Sequence, residues 1–533
     1  MSFTKSQFNP IVKVAKNNLG YILLLLHLSF CLSTIFSYGA YIDDGIERKN
    51  GIITYEYIER QLNLAIPEEQ LYRGLNISTY DHREYGTLFQ TLCFLVEKNF
   101  HVQTYRNIFL LRHMLVSLIF VLAAFTFYQI IKRQGYSSFI SGFVYLCLIV
   151  HPRIFAQSLV NTKDILFLSV LIFTLYTVQS FFFSKSKVRS SIWVGFSLGA
   201  LVSIRLIGIY ILPILILWIL LEKMFARPEK PWWKVLYHSS VVTAFTLIFS
   251  YMMWPSLWER PFPNIIYSIE SLSDFPWNGS LLFNGRYYSG GDLPLSYLFQ
   301  IFSYTTPLFI QLLISAGIIY ESVRFRASSI NLQEEGFSKF CLLLLLFPII
   351  LYLINVPTVY NGWRHFYFLY PLMLLQLYNL LSAVDRLCLR TYGLRVLLLL
   401  QLMVILVQAV LLGPYSFLYL NEWVNESKVK EIELDYFGLG YFDIWNTLHS
   451  EKMLTDVPIY ETKLKARLNA LCTDLDQSRM ITSPKAQTTF IYVHEFNTNA
   501  NLDVESQCRQ PDTLFSKSIY NHDFYAIILC QNE

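Results

Sequence analysis

The 533-residue sequence predicts a polytopic α-helical membrane protein carrying a small C-terminal α/β domain. Three observations predict it. The chain is 54% hydrophobic and only 15% charged, with a mean hydropathy of +0.39, where a soluble domain carries about a quarter charged residues. Eleven apolar runs are each long enough to cross a hydrocarbon core of roughly 30 Å. After residue 413 these runs stop and Asp, Asn, Thr and Gln accumulate.

The runs begin near residues 19, 107, 137, 165, 190, 206, 234, 303, 339, 365 and 394. The first lacks a small-residue cleavage site and reads as a retained helix. Only Arg205 and Gly208 mark the turn between the fifth and the sixth. An odd count sets the termini on opposite sides. Lys5, Lys13, Lys16, Lys132, Arg133, Lys185, Lys187, Arg189, Lys223, Arg227, Lys230 and Lys234 fall in alternate connections. Arg324, Arg326, Lys339, Arg386, Arg390 and Arg395 continue the series, so that side, with the N-terminus, is expected to be cytoplasmic. The opposite face then receives loops 41–106, 151–164, 255–302 and 356–364 and the whole tail. Within the first of these, Thr87 to Phe100 reads as an amphipathic interfacial helix. The expected division is a transmembrane unit over 1–413 and an extracytoplasmic domain over 414–533, with strand-like runs at Thr488–Val493 and Phe524–Leu529.

A net charge of +4 spread over many short loops gives no footprint for nucleic acid, and membrane lipid is the partner that composition implies. Helix interiors are almost free of ionisable residues and show no inverted repeat, which disfavours an ion-coupled transporter or proton pump. Five cysteines lie in or beside apolar segments without CxxC spacing. Cys472, Cys508 and Cys530 lie in the tail, where one disulfide of open pairing could form in an oxidising compartment. Asn76, Asn278 and Asn425 open tripeptides of the N-glycosylation pattern.

Polar chemistry collects where helices meet the outer face. Tyr41-Ile42-Asp43-Asp44 follows the first helix; adjacent carboxylates can raise each other's pKa and leave a general base, or can simply open a solvated acidic loop. Asp81-His82-Arg83-Glu84-Tyr85-Gly86 lies later in the same loop. His151-Pro152-Arg153 through Asn161-Thr162-Lys163-Asp164 brings cations to the outer surface against the charge trend. A phosphate at headgroup depth would explain them, as would snorkelling or a Lys163–Asp164 ion pair. Arg205, Arg112 with His113, and Asn361-Gly362-Trp363-Arg364-His365 repeat the theme. Trp254, Trp258, Trp277, Tyr287, Tyr288 and Tyr297 in loop 255–302 suit sugar stacking or interfacial anchoring.

Together these segments resemble the GT-C integral membrane glycosyltransferases, in particular a family-39-like group of bacterial relatives of the protein O-mannosyltransferases and the lipid A aminoarabinose transferase. The resemblance spans all eleven helices and implies a bacterial inner-membrane, cell-envelope enzyme. Its base is usually an Asp in an Asp-Glu pair after the first helix; here the pair is Asp43-Asp44, so the role passes to Asp43 with Asp44 as rival. Glu84 matches a second acidic position, although the His-Pro-Pro of the mannosyltransferases is missing.

The implied reaction moves a sugar from a polyprenyl-phosphate carrier to a lipid, glycan or protein acceptor, with inversion. Arg153, Lys163, Arg205, Arg364 and His365 would hold the leaving phosphate. The resemblance leaves a divalent metal open and names no other cofactor. The alternatives are a non-enzymatic lipid or oligosaccharide translocator, or an assembly component.

Overall fold

The computed structural model describes residues 10–62, 75–135, 137–184, 186–226, 229, 231–273, 277, 279–289, 291–327, 332–355, 357–387, 392–451, 457–461, 463–482, 489–496, 508–520 and 522–531. Expectations resting on Lys5, Lys185, Arg227, Lys230, Asn278, Arg390 and Thr488 lie outside these residues. Helix α1 (Pro10–Thr34) leads to α2 (Asp44–Gln61) and α3 (Leu88–Asn99), which pack on each other. The described residues of loop 41–106 are therefore largely helical, and α3 lies where the amphipathic pattern places it. Then come α4 (Tyr105–Lys132), α5 (Ser138–Ile149), α6 (Pro152–Ser158), α7 (Asp164–Phe183), α8 (Lys187–Ile204), α9 (Ile211–Leu221) and α10 (Trp232–Met252). The second long loop holds α11 (Pro261–Ser273), a hairpin of β1 (Ser280–Phe283) and β2 (Arg286–Ser289), and α12 (Tyr297–Thr305). Four long helices follow: α13 (Leu308–Ala327), α14 (Leu332–Asn355), α15 (Leu369–Leu387) and α16 (Tyr392–Leu412).

Every one of the eleven predicted runs is helical. Among the described residues, eight are long and apolar enough to cross a membrane, and nine if α5 and α6 form one bent span. The 67° bend between those two has a local cause. A residue before proline is pushed out of the α region, and His151 before Pro152 sits at φ −60, ψ 114, its ring accepting the Ile154 N–H. The other two runs, α8 and α15, are less apolar because protein surrounds much of them. Helix α8 packs between α7 and α10, and its Ser190, Ser191, Ser197 and Ser203 hydroxyls bond carbonyls of the preceding turn. Helix α15, packed on α13, α14 and α5, buries Gln376, Asn379 and Ser382.

Helices α8 and α10 approach closely because Gly195 and Gly199 lie four residues apart on the contact face, the small-xxx-small device of membrane helices. A Cβ on Gly195 would stand 2.5 Å from the Phe245 Cβ, and one on Gly199 2.6 Å from the Phe249 Cβ.

The tail continues through α17 (Glu426–Val429), α18 (Gly440–Ser450) and α19 (Leu464–Ala470) to a five-stranded mixed sheet. Its strands are β3 (Ile459–Tyr460), β4 (Met480–Ile481), β5 (Phe490–Glu495), β6 (Gln510–Ile519) and β7 (His522–Gln531), in the order β4-β3-β5-β7-β6. Strands β5 and β7 fall on the two predicted runs; β6 is largely polar and was not expected. Cys508 and Cys530 form the disulfide and Cys472 is free and buried. The tail also grips loop 255–302. Glu433 N–H donates to the Leu282 carbonyl at 2.9 Å and Gly285 N–H to the Glu431 carbonyl at 3.1 Å, extending the β1–β2 hairpin.

Substituting Gly199→Val is expected to destabilise by about 1–3 kcal/mol through overpacking, read as a lower melting temperature in detergent. Gly393→Ala, with nothing within 4 Å of an added Cβ, is the neutral control.

A second expectation concerns pH. Burial beside Glu495 and Asp435, opposed by Lys465, lifts the Glu433 carboxyl to about 7. The folded state thus holds this proton more tightly than the unfolded chain does. The resulting stability is complete below the ordinary carboxylate pKa and is lost as pH rises through about 7. Glu433→Gln should remove that slope and raise the melting temperature at pH 8 relative to the parent.

Candidate active site

Asp43 and Asp44 have different fates. The first turn of α2 turns Asp44 inward, where it is fully buried and its Oδ2 accepts the Tyr41 N–H and faces His113 Nε2, each at 2.8 Å. Asp43 occupies the N-cap position without using its carboxylate as a cap. That carboxylate is one-third exposed and accepts a hydrogen bond from Arg364 Nη1 at 3.1 Å. Tyr41 between them stacks on Phe437 of the tail at 4.1 Å, and its hydroxyl accepts from Asn161 and Arg364.

Arg364 is aimed by a tight turn in which Asn361 (φ 58) and Gly362 (φ 76) are both left-handed, a conformation those residue types tolerate best. The Gly362 N–H donates to the Tyr297 hydroxyl at 2.7 Å and the Trp363 indole to Thr305 at 2.9 Å, fixing the turn. Tyr360, Phe437 and Tyr436 surround the guanidinium, 4.9, 5.2 and 5.9 Å from their ring centres. Burial opposes its charge, but Tyr41, Asp164 and Asp43 outweigh burial and hold it protonated far above the ordinary range.

Asp164, buried at the start of α7, links this arginine to Arg205 at the end of α8. Its Oδ1 pairs with Arg205, and its Oδ2 lies 3.6 Å from Arg364 and accepts from Asn161 at 3.0 Å. Asn161 Oδ1 also accepts the Asp164 N–H at 2.8 Å, so one side chain binds both the backbone and the carboxylate of the first helical residue. Lys163 pairs with Glu47 of α2 at 3.2 Å, not with Asp164, and lies 3.3 Å from the centre of the Tyr85 ring. Its burial works against the charge, and Glu47 and Tyr85 overcome that and raise its pKa. Three cations thus meet three carboxylates, yet the Nε atoms of Arg205 and Arg364 are enclosed without a partner among the described residues.

Beside this cluster opens a cavity of about 820 Å³. Its walls are apolar, with Val202, Leu206, Leu247, Phe262, Ile265 and Ile269, and it meets the cluster at Tyr85, Arg205, Tyr360 and His365. Burial, then Arg364 and Arg205, push His365 well below its ordinary pKa.

The remaining expected residues lie differently. Glu84 is buried, with Oε1 3.7 Å from His82 Nδ1 and Oε2 unpartnered. Its segment is pinned where the Trp254 indole and Ser256 hydroxyl donate to the Arg83 carbonyl and Gly86 passes close against Ser203. Arg112 and His113 are buried braces, Arg112 on Gln90 and His113 on Asp44. Arg153 joins none of the ion pairs; its Nε donates to the Tyr419 carbonyl at 3.1 Å. Glu47 and Asn161 sat within or beside the motifs without a role, Asp164 was expected only as a partner for Lys163, and Phe437 carried no signal, because only packing brings the tail to Tyr41. Among the described residues no group of three His, Cys, Asp or Glu side chains is placed to hold a metal ion.

No protein-family model matches the chain, and no curated protein matches it in sequence. Among solved structures it resembles apo ArnT from Cupriavidus metallidurans, with a TM-score of 0.50, 12% identity, and coverage of 96% of this chain and 98% of that one. The same enzyme bound to undecaprenyl phosphate aligns at TM-score 0.48 and 11% identity over 96% and 97% of the two chains. The apo Archaeoglobus fulgidus oligosaccharyltransferase aligns at 0.49 and 11% over 88% and 61%. The first shows a shared fold over nearly the whole length; the other two superpose too loosely to add to it.

Asp44→Ala should destabilise by about 1–3 kcal/mol, since it strips the buried His113 and the Tyr41 N–H of their acceptor. Asp43→Asn, at the exposed rim, should change stability by less than about 1 kcal/mol. Thermal melts of both variants in one detergent make the comparison.

Proposed function

We propose that this chain transfers a sugar from a polyprenyl-phosphate donor to an acceptor at the outer face of the membrane. The observation that carries the reading is an apolar cavity that meets, at Arg205, a cluster of three cations whose arginine Nε groups lack acceptors among the described residues, beside the one-third-exposed Asp43 carboxylate. An isoprenoid tail fits the apolar walls, and its phosphate fits the cations. Arg205 and Arg364 suit such a phosphate as planar forks and Lys163 as a point charge.

In this reading Asp43 is the general base. It takes the proton from the acceptor's nucleophile as that atom bonds to the anomeric carbon. The bond from that carbon to the phosphate oxygen breaks on the opposite side, with inversion, and polyprenyl phosphate leaves. Its developing charge falls on Arg205, Arg364 and Lys163, arranged before the reaction starts. Asp164 keeps the two arginines together, and this reading gives Glu84 no step. Both acids nearest the leaving group, Asp43 and Asp164, are matched to Arg364, a donor set that suits cationic side chains as the phosphate's partners. The Lys and Arg bias of the opposite loops and the Cys508–Cys530 disulfide support an extracytoplasmic site in a bacterial plasma membrane.

The test incubates purified protein in lipid with radiolabelled polyprenyl-phosphate sugars and membrane extract. Asp43→Asn should slow label transfer by about 10²–10⁴-fold, and Arg205→Gln should weaken binding of polyprenyl phosphate. Transfer from no donor, with both variants matching the parent in binding and in cells, would move the assignment to a translocator or an assembly component.

A further inference from the structure

We propose that Arg153 forms a second anion-binding subsite, beside the ion-pair cluster but separate from it, that takes a phosphate-class group at the membrane surface. Arg153 is buried in α6 and has no ion pair among the described residues. Its Nη2 is enclosed without a partner, and Nη1 borders the space at Gly362, where an added Cβ would stand 3.8 Å away. A buried guanidinium without a counter-charge costs several kcal/mol. The groups whose charge it feels are Tyr367, Tyr520 and Tyr297, none of them a carboxylate.

The tyrosines indicate the sign of the missing ligand. The Tyr297 hydroxyl accepts the Gly362 N–H at 2.7 Å and the Tyr520 hydroxyl accepts the Leu420 N–H at 2.9 Å. Each therefore has its own hydrogen left to donate, with no acceptor for it among the described residues. The Tyr419 carbonyl beside them accepts from Arg153 Nε. A site offering an arginine fork and two O–H donors fits an oxyanion and repels a cation. Five segments meet there: α6, the start of α12, the turn before α15, the stretch at Tyr419 and Leu420, and Tyr520 at the end of β6. Tyr367 feels Arg153, Asp164 and Arg364 together, so the two subsites are neighbours. Occupation would tie the tail to the membrane unit while the first cluster stays free for its own ligand.

The full-length chain in nanodiscs of phosphatidylcholine tests this, with melting temperature followed against inorganic phosphate in one arm and added phosphatidylglycerol in the other. Both arms are run for the parent, Arg153→Gln, Arg153→Lys and Arg205→Gln. The expected result is stabilisation whose apparent affinity falls roughly tenfold or more in Arg153→Gln, is partly rescued in Arg153→Lys, and persists in Arg205→Gln. A response to phosphatidylglycerol alone assigns a lipid headgroup, and a response to both assigns a free phosphate as well. Should Arg153→Gln not fold, Tyr297→Phe keeps the ring, removes the donor, and should weaken the response severalfold. Equal responses in the parent and Arg153→Gln, loss of the response in Arg205→Gln only, or no response in the parent would overturn the proposal. The second of these outcomes leaves the transferase reading standing.

Discussion

The site depends on one constraint, that charge withdrawn from water at the ends of membrane helices must find opposite charge. Asp164 meets it for two arginines at once, and those arginines come from α8 and from the turn before α15, 159 residues apart. Remove that carboxylate and two guanidinium groups repel each other in a poorly screened interior. The Asn161 side chain that binds the first backbone N–H of α7 also holds this carboxylate, so helix start, ion-pair geometry and proposed anion site are one local arrangement.

The apolar half follows from close packing. Gly195 and Gly199 bring α10 against α8, and the same two helices supply Val202, Leu247 and Ser250 to the cavity wall. Cavity and cluster meet because Arg205 ends α8 on that side. The aromatic residues find several uses here: Tyr85 faces Lys163, Tyr360 and Phe437 face Arg364, and Trp277 stacks on Tyr360 at 4.6 Å. Part of this collar comes from the tail, whose Tyr436 and Phe437 stand at the candidate site.

Much of the architecture was legible in the sequence because hydropathy is a local property. Each apolar run became a helix, and α3, β5 and β7 lie at their expected places. Helices α8 and α15 mark the limit of that logic. Their serines and amides lower the apolar content, and only their enclosure by neighbouring helices makes such residues tolerable. Strand β6 was missed because its exposed face alternates too weakly to show a period.

For the site, the sequence by itself determined which residues stand at the helix ends: two aspartates after α1, cations before α7, after α8 and before α15, and a conspicuous absence of charge between. Those follow from composition along the chain. Only the tertiary structure decided how they pair. It turned Asp44 inward to His113 and left Asp43 at the rim, gave Lys163 to Glu47 and Asp164 to the arginines, and set Arg153 apart among tyrosines. Ion pairing and desolvation act over a few ångströms in space between residues far apart in sequence, so no spacing within a motif could have carried that information.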